Sequence, residues 1–353
     1  MKTYKNLFPK ICTFENLLDA ARKARKGKRL RENVGRFYVN LENELITLQR
    51  ELTQKTYRTG KYRTFTIYEP KKRMISAAPF RDRVMHHALC NIIEPLFEKK
   101  FIYDSYANRK GKGSHKAVEH YQRFCRHYKY VLKCDIQKYF PAIDHEILKR
   151  EIRRTIGCND TLWLIDLIIN GSNKQESVME NFSTGDLFSP FERRRGLPIG
   201  NLTSQFFANV YLNPFDHFIK EQLQVRRYVR YVDDFVVFGE SKDQLWKVKS
   251  EIEKYMETLH LRLHSNKCQV HRTKEGLRFL GFRVFPEYRL LPRQNIVRAH
   301  RRLKRLQKKY GAGEIELTDV QRALQGWNGH AIFADSHRLR TKIFEKYAFQ
   351  RVC

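Results

Sequence analysis

Arg230-Tyr231-Val232-Asp233-Asp234-Phe235-Val236-Val237-Phe238 is an apolar, β-branched run with two adjacent acids near its middle. Val225 to Val232 and Asp234 to Phe238 read as two strands joined tightly at Asp233. A third acid, Asp135, ends another apolar strand that includes Tyr130-Val131-Leu132-Lys133-Cys134. Carboxylates at strand ends are costly unless solvated or neutralised. One neutraliser is an arginine. Another is a divalent cation, which prefers hard oxygens. Two such ions held by carboxylates from neighbouring strands can clamp the attacking and leaving oxygens of an in-line phosphoryl displacement. Taken alone, Asp233-Asp234 also fits an ordinary polar hairpin turn. Only the joint context of the three acids favours the ion.

That context includes charge. The chain has 353 residues, and 69 Lys and Arg against 38 Asp and Glu leave a formal balance of +31. A surplus spread from end to end calls for an anionic partner, and nucleic acid leads because phosphate neutralisation drives its binding. With 41% hydrophobic and 13% aromatic residues the chain is no disordered basic tail. Its longest apolar stretch, Leu162 to Ile169, is short and carries Asp166, so no membrane span is expected. Met1 to Phe14 lacks the apolar core of a signal peptide. Seven cysteines without a Cys-x-x-Cys read as reduced, buried thiols, with Cys268 and His271 at most half a metal site. Aromatic and basic residues interleave from Tyr121 to Tyr130, a pattern that suits either single-strand stacking or a packed core.

Along the chain, residues 14–57 read mostly as helix. Lys61 to Ile67 and Met74 to Ala78 form a hairpin with a basic tip at Glu69-Pro70-Lys71-Lys72. Arg83 to Phe97 is a helix that Pro95 ends or kinks, and Asp144 caps a helix over His145 to Ile156. A loop-rich stretch from Asn170 to Arg195 leads into Gly196-Leu197-Pro198-Ile199-Gly200. Helices follow over Leu202 to Leu212 and Leu245 to Leu259, and Leu277 to Phe285 pairs with Tyr288 to Leu291. From Ile296 the pattern changes: Ile296, Ala299, Leu303, Leu306 and Tyr310 make a narrow stripe on an otherwise basic helix, and Thr318-Asp319-Val320-Gln321 reads as a capping box for the next.

The segment Arg230 to Phe238 resembles the metal-binding hairpin of reverse transcriptases. Cys134-Asp135-Ile136-Gln137-Lys138-Tyr139-Phe140-Pro141 resembles the family's first metal-binding strand, Gly196 to Gln205 its intervening loop and helix, and Leu280-Gly281-Phe282 its primer grip. The likeness covers roughly residues 60–290 in the family's order and spacing. It departs at Ile199-Gly200-Asn201-Leu202-Thr203-Ser204-Gln205, where most members carry Gln-Gly-x-x-x-Ser-Pro. The Ile-Gly-x-x-x-Ser-Gln form resembles the enzymes of diversity-generating retroelements, whose cDNA carries frequent errors at template adenines and diversifies a target gene through mutagenic retrohoming.

The resemblance implies an α+β right-hand polymerase. Its parts would be N-terminal helices and fingers over 1–125, palm over 126–147, a fingers–palm connection over 148–195, more palm with the catalytic hairpin over 196–290, and a helical thumb over 291–353. It implies two Mg2+ ions, with Mn2+ as substitute, held by Asp135, Asp233, Asp234 and the Ile136 carbonyl. Lys72 and Arg73 would hold the dNTP triphosphate, and Arg81 would lie near the incoming base pair, although each also fits a solvated surface charge. Ile199, Gly200 and Gln205 would line the nucleotide site, Ile199 either relaxing selection or merely packing the loop. Phe140 would be a steric gate against the ribose 2′-hydroxyl, or a core aromatic. Lys267 would act as general acid toward pyrophosphate. Arg298, Arg301, Arg302 and Arg305 would track the primer–template backbone. Template RNA, primer and cDNA would be bound in the cytoplasm of a bacterial or phage-infected cell, with an oligomeric, basic, helical accessory protein. With so short a stretch after the thumb, no maturase-like or endonuclease extension is expected. Retron, group II intron-derived and antiphage-defence enzymes share the chemistry. A non-catalytic RNA-binding scaffold has no reason to keep three such acids, and Phe140 speaks against an RNA-templated RNA polymerase.

Overall fold

The computed structural model describes residues 3–68, 72–173, 175, 176, 178 and 193–351. The expected turn residues 69–71, most of the loop-rich stretch before Arg195, and Cys353 lie outside them. The chain opens with helices α1 (Phe8–Ile11), α2 (Phe14–Arg25), α3 (Glu32–Val39) and α4 (Leu41–Thr53). Thr13 caps α2 by accepting the Asn16 N–H. Leu17, Ala20, Ala21 and Ala24 are buried on one face, and these small side chains let α2 lie closely on α5 (Phe80–Glu98). Pro95 does not end α5. Val84, Met85, Leu89, Ile93 and Phe97 are all buried along it, and that burial outweighs a cost of about 3 kcal/mol for one helical proline. Between α4 and α5, strands β1 (Arg63–Ile67) and β2 (Arg73–Ala77) pair antiparallel as the expected hairpin.

Helix α6 (Ser114–His127) accounts for much of the interleaved aromatic and basic segment. Ala117, Val118, Tyr121 and Cys125 are buried at helical spacing, with the Tyr121 ring 4.9 Å from Phe279 and 5.1 Å from Phe238. Tyr121 is therefore core and does not stack on a strand of nucleic acid. Strand β3 (Tyr130–Asp135) follows, then α7 (Tyr139–Ala142), α8 (His145–Arg153), α9 (Asn159–Asn170) and α10 (Leu202–His217). Asp144 caps α8 as expected, accepting the N–H groups of Glu146 and Ile147.

The central sheet is antiparallel, in the order β4 (Tyr228–Tyr231), β5 (Asp234–Gly239), β3, β6 (Gln269–Arg272). Its period of two feeds two cores. Phe235 and Val237 pack with α10 and α11 (Lys242–Thr258) on one face, while Val236 and Phe238 pack with α6 on the other. The expected single strand from Leu277 to Phe285 is instead two, β7 (Leu277–Phe279) and β8 (Phe282–Val284), with β9 (Arg289–Leu290) as the third. The chain reverses at Leu280-Gly281, whose φ values of +45° and +90° suit a tight two-residue hairpin.

Three helices close the described chain: α12 (Arg293–Gly311), α13 (Leu317–Ala331) and α14 (His337–Lys346). Ala299 and Leu303 are buried, and Arg298, Arg301, Arg302 and Arg305 are exposed. The capping box lies two residues before the expected one. Glu316 accepts the Asp319 N–H and Asp319 accepts the Glu316 N–H, and two carboxylates suit the positive end of a helix better than a hydroxyl and an amide. The six described cysteines are free thiols, five of them buried. No helix among the described residues is long and apolar enough to cross a membrane.

Candidate active site

Tyr231 pairs with Asp234, so Val232-Asp233 alone joins β4 to β5. Val232 has a φ of +57°. A β-branched side chain enters that left-handed region only under constraint, at a cost of about 1–3 kcal/mol. Arg230 supplies the constraint, its Nη1 donating to the Val232 carbonyl at 3.2 Å. Arg230 itself is wholly buried. Its Nε and Nη2 fork onto the Asp216 carboxylate at 2.7 and 2.5 Å, and the Tyr228 hydroxyl donates to the same carboxylate at 2.9 Å. A buried ion pair thus underlies a strained turn that carries Asp233.

Asp135 sits directly opposite Asp234 in the β3–β5 ladder, and the Ile136 N–H donates to the Asp233 carbonyl at 3.2 Å. The three acids share one end of the sheet. Burial, then the charges of Asp234 and Asp135, push the Asp233 carboxyl up to about 6, while the Arg73 guanidinium pulls it the other way. Two lysines answer the remaining charge. Lys267 Nζ donates to Asp135 Oδ1 at 3.1 Å, and Lys133 Nζ lies 3.8 Å from Asp234 Oδ1.

As the side chains stand, no three His, Cys, Asp or Glu groups among the described residues are gathered closely enough to hold an ion. The backbone of the triad converges; its oxygens do not form a finished cage. The donor set still fits a hard divalent cation. It consists wholly of oxygens, brought to one end of the sheet by the Asp135–Asp234 pairing and the adjoining turn. An entering ion would compete with Lys267 and Lys133 for Asp135 and Asp234.

Arg73 is exposed on β2, within electrostatic reach of Asp233, and Lys72 is exposed beside it. Arg81 is engaged elsewhere, with Glu51 Oε2 at 2.5 Å and the Tyr57 ring below its guanidinium. Phe140 is half-buried on α7, and its carbonyl accepts the Leu197 N–H at 2.9 Å. The same loop continues to Ile199, which is half-buried, and to Gly200, whose φ is +116°. Gln205 is half-buried on the first turns of α10. Leu280-Gly281 forms the β7–β8 turn, and the Phe282 ring lies 4.4 Å from His330 and 5.4 Å from Phe333, so α13 rests on it.

Asp216, Lys133, Ser76 and Asn201 contribute to the site without a role assigned to them from the sequence. Asp216 carried a faint signal, an acid among Phe215, Phe218 and Ile219, which needs a partner if it is buried with them. The others became visible only once strands and loops were brought together.

A family model described as reverse transcriptase (RNA-dependent DNA polymerase) matches residues 63–284. Protein YkfC of Escherichia coli is 24% identical over 283 residues, covering 68% of this chain and 71% of that protein. The group II intron-encoded protein LtrA of Lactococcus lactis is 20% identical over 280 residues, covering 61% of this chain and 44% of LtrA, so the match spans under half of that relative. Among solved structures, apo telomerase from Candida tropicalis aligns with a TM-score of 0.43 at 11% identity, over 64% of this chain and 47% of that one.

Proposed function

This chain belongs to the reverse transcriptase family of RNA-dependent DNA polymerases, and from that premise we propose that it copies a template-repeat RNA into adenine-mutagenised cDNA in a diversity-generating retroelement. One observation carries the finer proposal: Ile199 stands in the loop where most members have glutamine. A glutamine amide can hydrogen-bond the incoming nucleotide. An isoleucine offers only shape, and shape alone discriminates weakly.

Reverse transcriptases generally use divalent metal ions. Here Asp135, Asp233, Asp234 and the Ile136 carbonyl would hold two magnesium ions, or manganese in their place, which when bound would make the primer hydroxyl more acidic and offset triphosphate charge. Arg73 and Lys72 bind the triphosphate, the guanidinium in bidentate fashion. The primer 3′-hydroxyl loses its proton to solvent, its oxygen bonds to the α-phosphorus as the bond to pyrophosphate breaks, and Lys267 gives the leaving group a proton that it regains from solvent. Phe140 crowds a ribose 2′-hydroxyl. Arg298, Arg301, Arg302 and Arg305 grip backbone phosphates without reading sequence. The partners are template RNA, primer, cDNA and the basic helical accessory protein, in a bacterial cytoplasm. The intron-encoded relative favours a second reading, a group II intron-derived enzyme, and a template repeat beside a matching variable repeat in the genome separates the two.

Ile199→Gln lowers misincorporation opposite template adenine, measured by sequencing cDNA from an adenine-containing RNA with and without the accessory protein. An unchanged error spectrum removes the fidelity role. Phe140→Ala admits ribonucleotides, narrowing the preference for dNTP over rNTP by about a hundredfold, or about 2.7 kcal/mol. Single-nucleotide incorporation measures this, and continued exclusion returns Phe140 to the core.

A further inference from the structure

We propose that Asn201 is a positioning residue that latches the fingertip hairpin onto the nucleotide loop and so fixes where Arg73 meets the triphosphate. The inference rests on the reading of Arg73 as a triphosphate ligand. The β1–β2 ribbon has only two strands, and every residue of β1 is exposed. A two-stranded ribbon is marginal by itself, so its direction is set at its root. There the Ser76 N–H donates to the Ile199 carbonyl at 2.9 Å. Asn201 Nδ2 donates to the Ser76 carbonyl at 3.1 Å, and Asn201 Oδ1 accepts the Ala78 N–H at 3.3 Å. Asn173 Nδ2 adds a bond to the Ser76 hydroxyl at 3.0 Å. Ser76 is fully buried and Asn201 is 3% exposed, so water is a poor substitute for these partners.

A carboxamide, with its N–H2 and its oxygen on one plane, satisfies a main-chain N–H and C=O at once. With both ends of the amide used, its orientation is fixed by the network. Gly200 completes the fit, since a Cβ there would meet Ile75 Cγ2 at 3.0 Å. The loop therefore lies hard against β2 at Ile75 and Ser76, two and three residues from Arg73 on the same strand. Ile199 and Arg73 are thus referenced to each other through Ser76, and the latch ties loop to fingertip before any nucleotide arrives.

The test is steady-state primer extension on a homopolymer RNA with the matching dNTP, comparing wild type, Asn201→Ala, Arg73→Ala and the double variant, with a thermal melt of each. Arg73→Ala raises KM for dNTP about tenfold. Asn201→Ala raises it about fivefold with kcat changed less than about twofold, and the double variant is no worse than Arg73→Ala alone. If Arg73→Ala leaves KM unchanged, the triphosphate reading fails. If Arg73→Ala raises KM but Asn201→Ala does not, or if the two effects multiply, the latch fails. Should Asn201→Ala not fold, Asn173→Ala removes the Ser76 hydroxyl bond and the Gln175 Nε2 bond to Asn173 Oδ1, leaves both Asn201 bonds in place, and must raise KM about twofold by the same path; an unchanged KM there overturns the latch.

Discussion

Asp233→Asn lowers RNA-templated DNA synthesis by at least about a thousandfold, a loss of about 4 kcal/mol in transition-state stabilisation. RNA binding stays within about twofold of wild type, with the same salt dependence, because affinity comes from the Lys and Arg surplus and not from this acid. Asparagine keeps the shape of the side chain and its place on the turn. It removes one of three negative charges that crowd the sheet end. The folded state holds the Asp233 proton more tightly than the unfolded chain, since its carboxyl is raised to about 6. Wild type therefore gives up stability as pH rises from the ordinary carboxylate range through 6, and the neutral variant does not. In chelator at neutral pH, Asp233→Asn melts no lower than wild type. Added magnesium raises the melting temperature of wild type more than that of the variant. Primer extension, filter binding at several salt concentrations and melts with and without magnesium check the set. Synthesis within tenfold of wild type, or RNA binding lost in parallel, removes the metal role from Asp233.

The β4–β5 hairpin was legible in the sequence because both faces are buried, which makes Tyr228 to Gly239 a β-branched and aromatic run, apolar apart from Arg230 and the acids. The order of β3, the loop at Gly196 and the hairpin was legible from motifs. What hid was decided by tertiary contact. The α6 stripe was masked because basic residues fill its solvent face and aromatic residues its core face, and both orders look alike in one dimension. Leu280 gave no turn signal, since leucine rarely takes a positive φ; α13 and its His330 hold the turn in place. Lys267 was singled out in the sequence for another role, but the lysine partner of Asp234 was hidden. Lys133 is two residues from Asp135 on the same strand yet reaches Asp234 on the next. The amide of Asn201 looked like one polar residue in a loop, and its two partners lie more than a hundred residues away.

Asp216→Ala destabilises the protein by about 3–5 kcal/mol, a large share of the about 5–15 kcal/mol that holds a typical native state together. Neither Asp216 nor Arg230 has exposed side-chain surface, so truncation leaves a guanidinium buried without its counter-charge. It also strips the Tyr228 hydroxyl of its acceptor. The unfolding midpoint in urea falls accordingly, with the slope unchanged. Replacing both partners separates stability from function. Asp216→Leu combined with Arg230→Met removes both charges from the interior and recovers most of the lost stability, as an apolar pair of similar volume often does. It does not recover synthesis. Without the Arg230 Nη1 bond to its carbonyl, Val232 is free to leave its φ of +57°, and Asp233 moves with it. A double variant that is stable and fully active would show that the turn holds itself and that the ion pair serves only the fold. A stable variant with RNA binding intact and synthesis lowered by about a hundredfold assigns the pair to positioning Asp233.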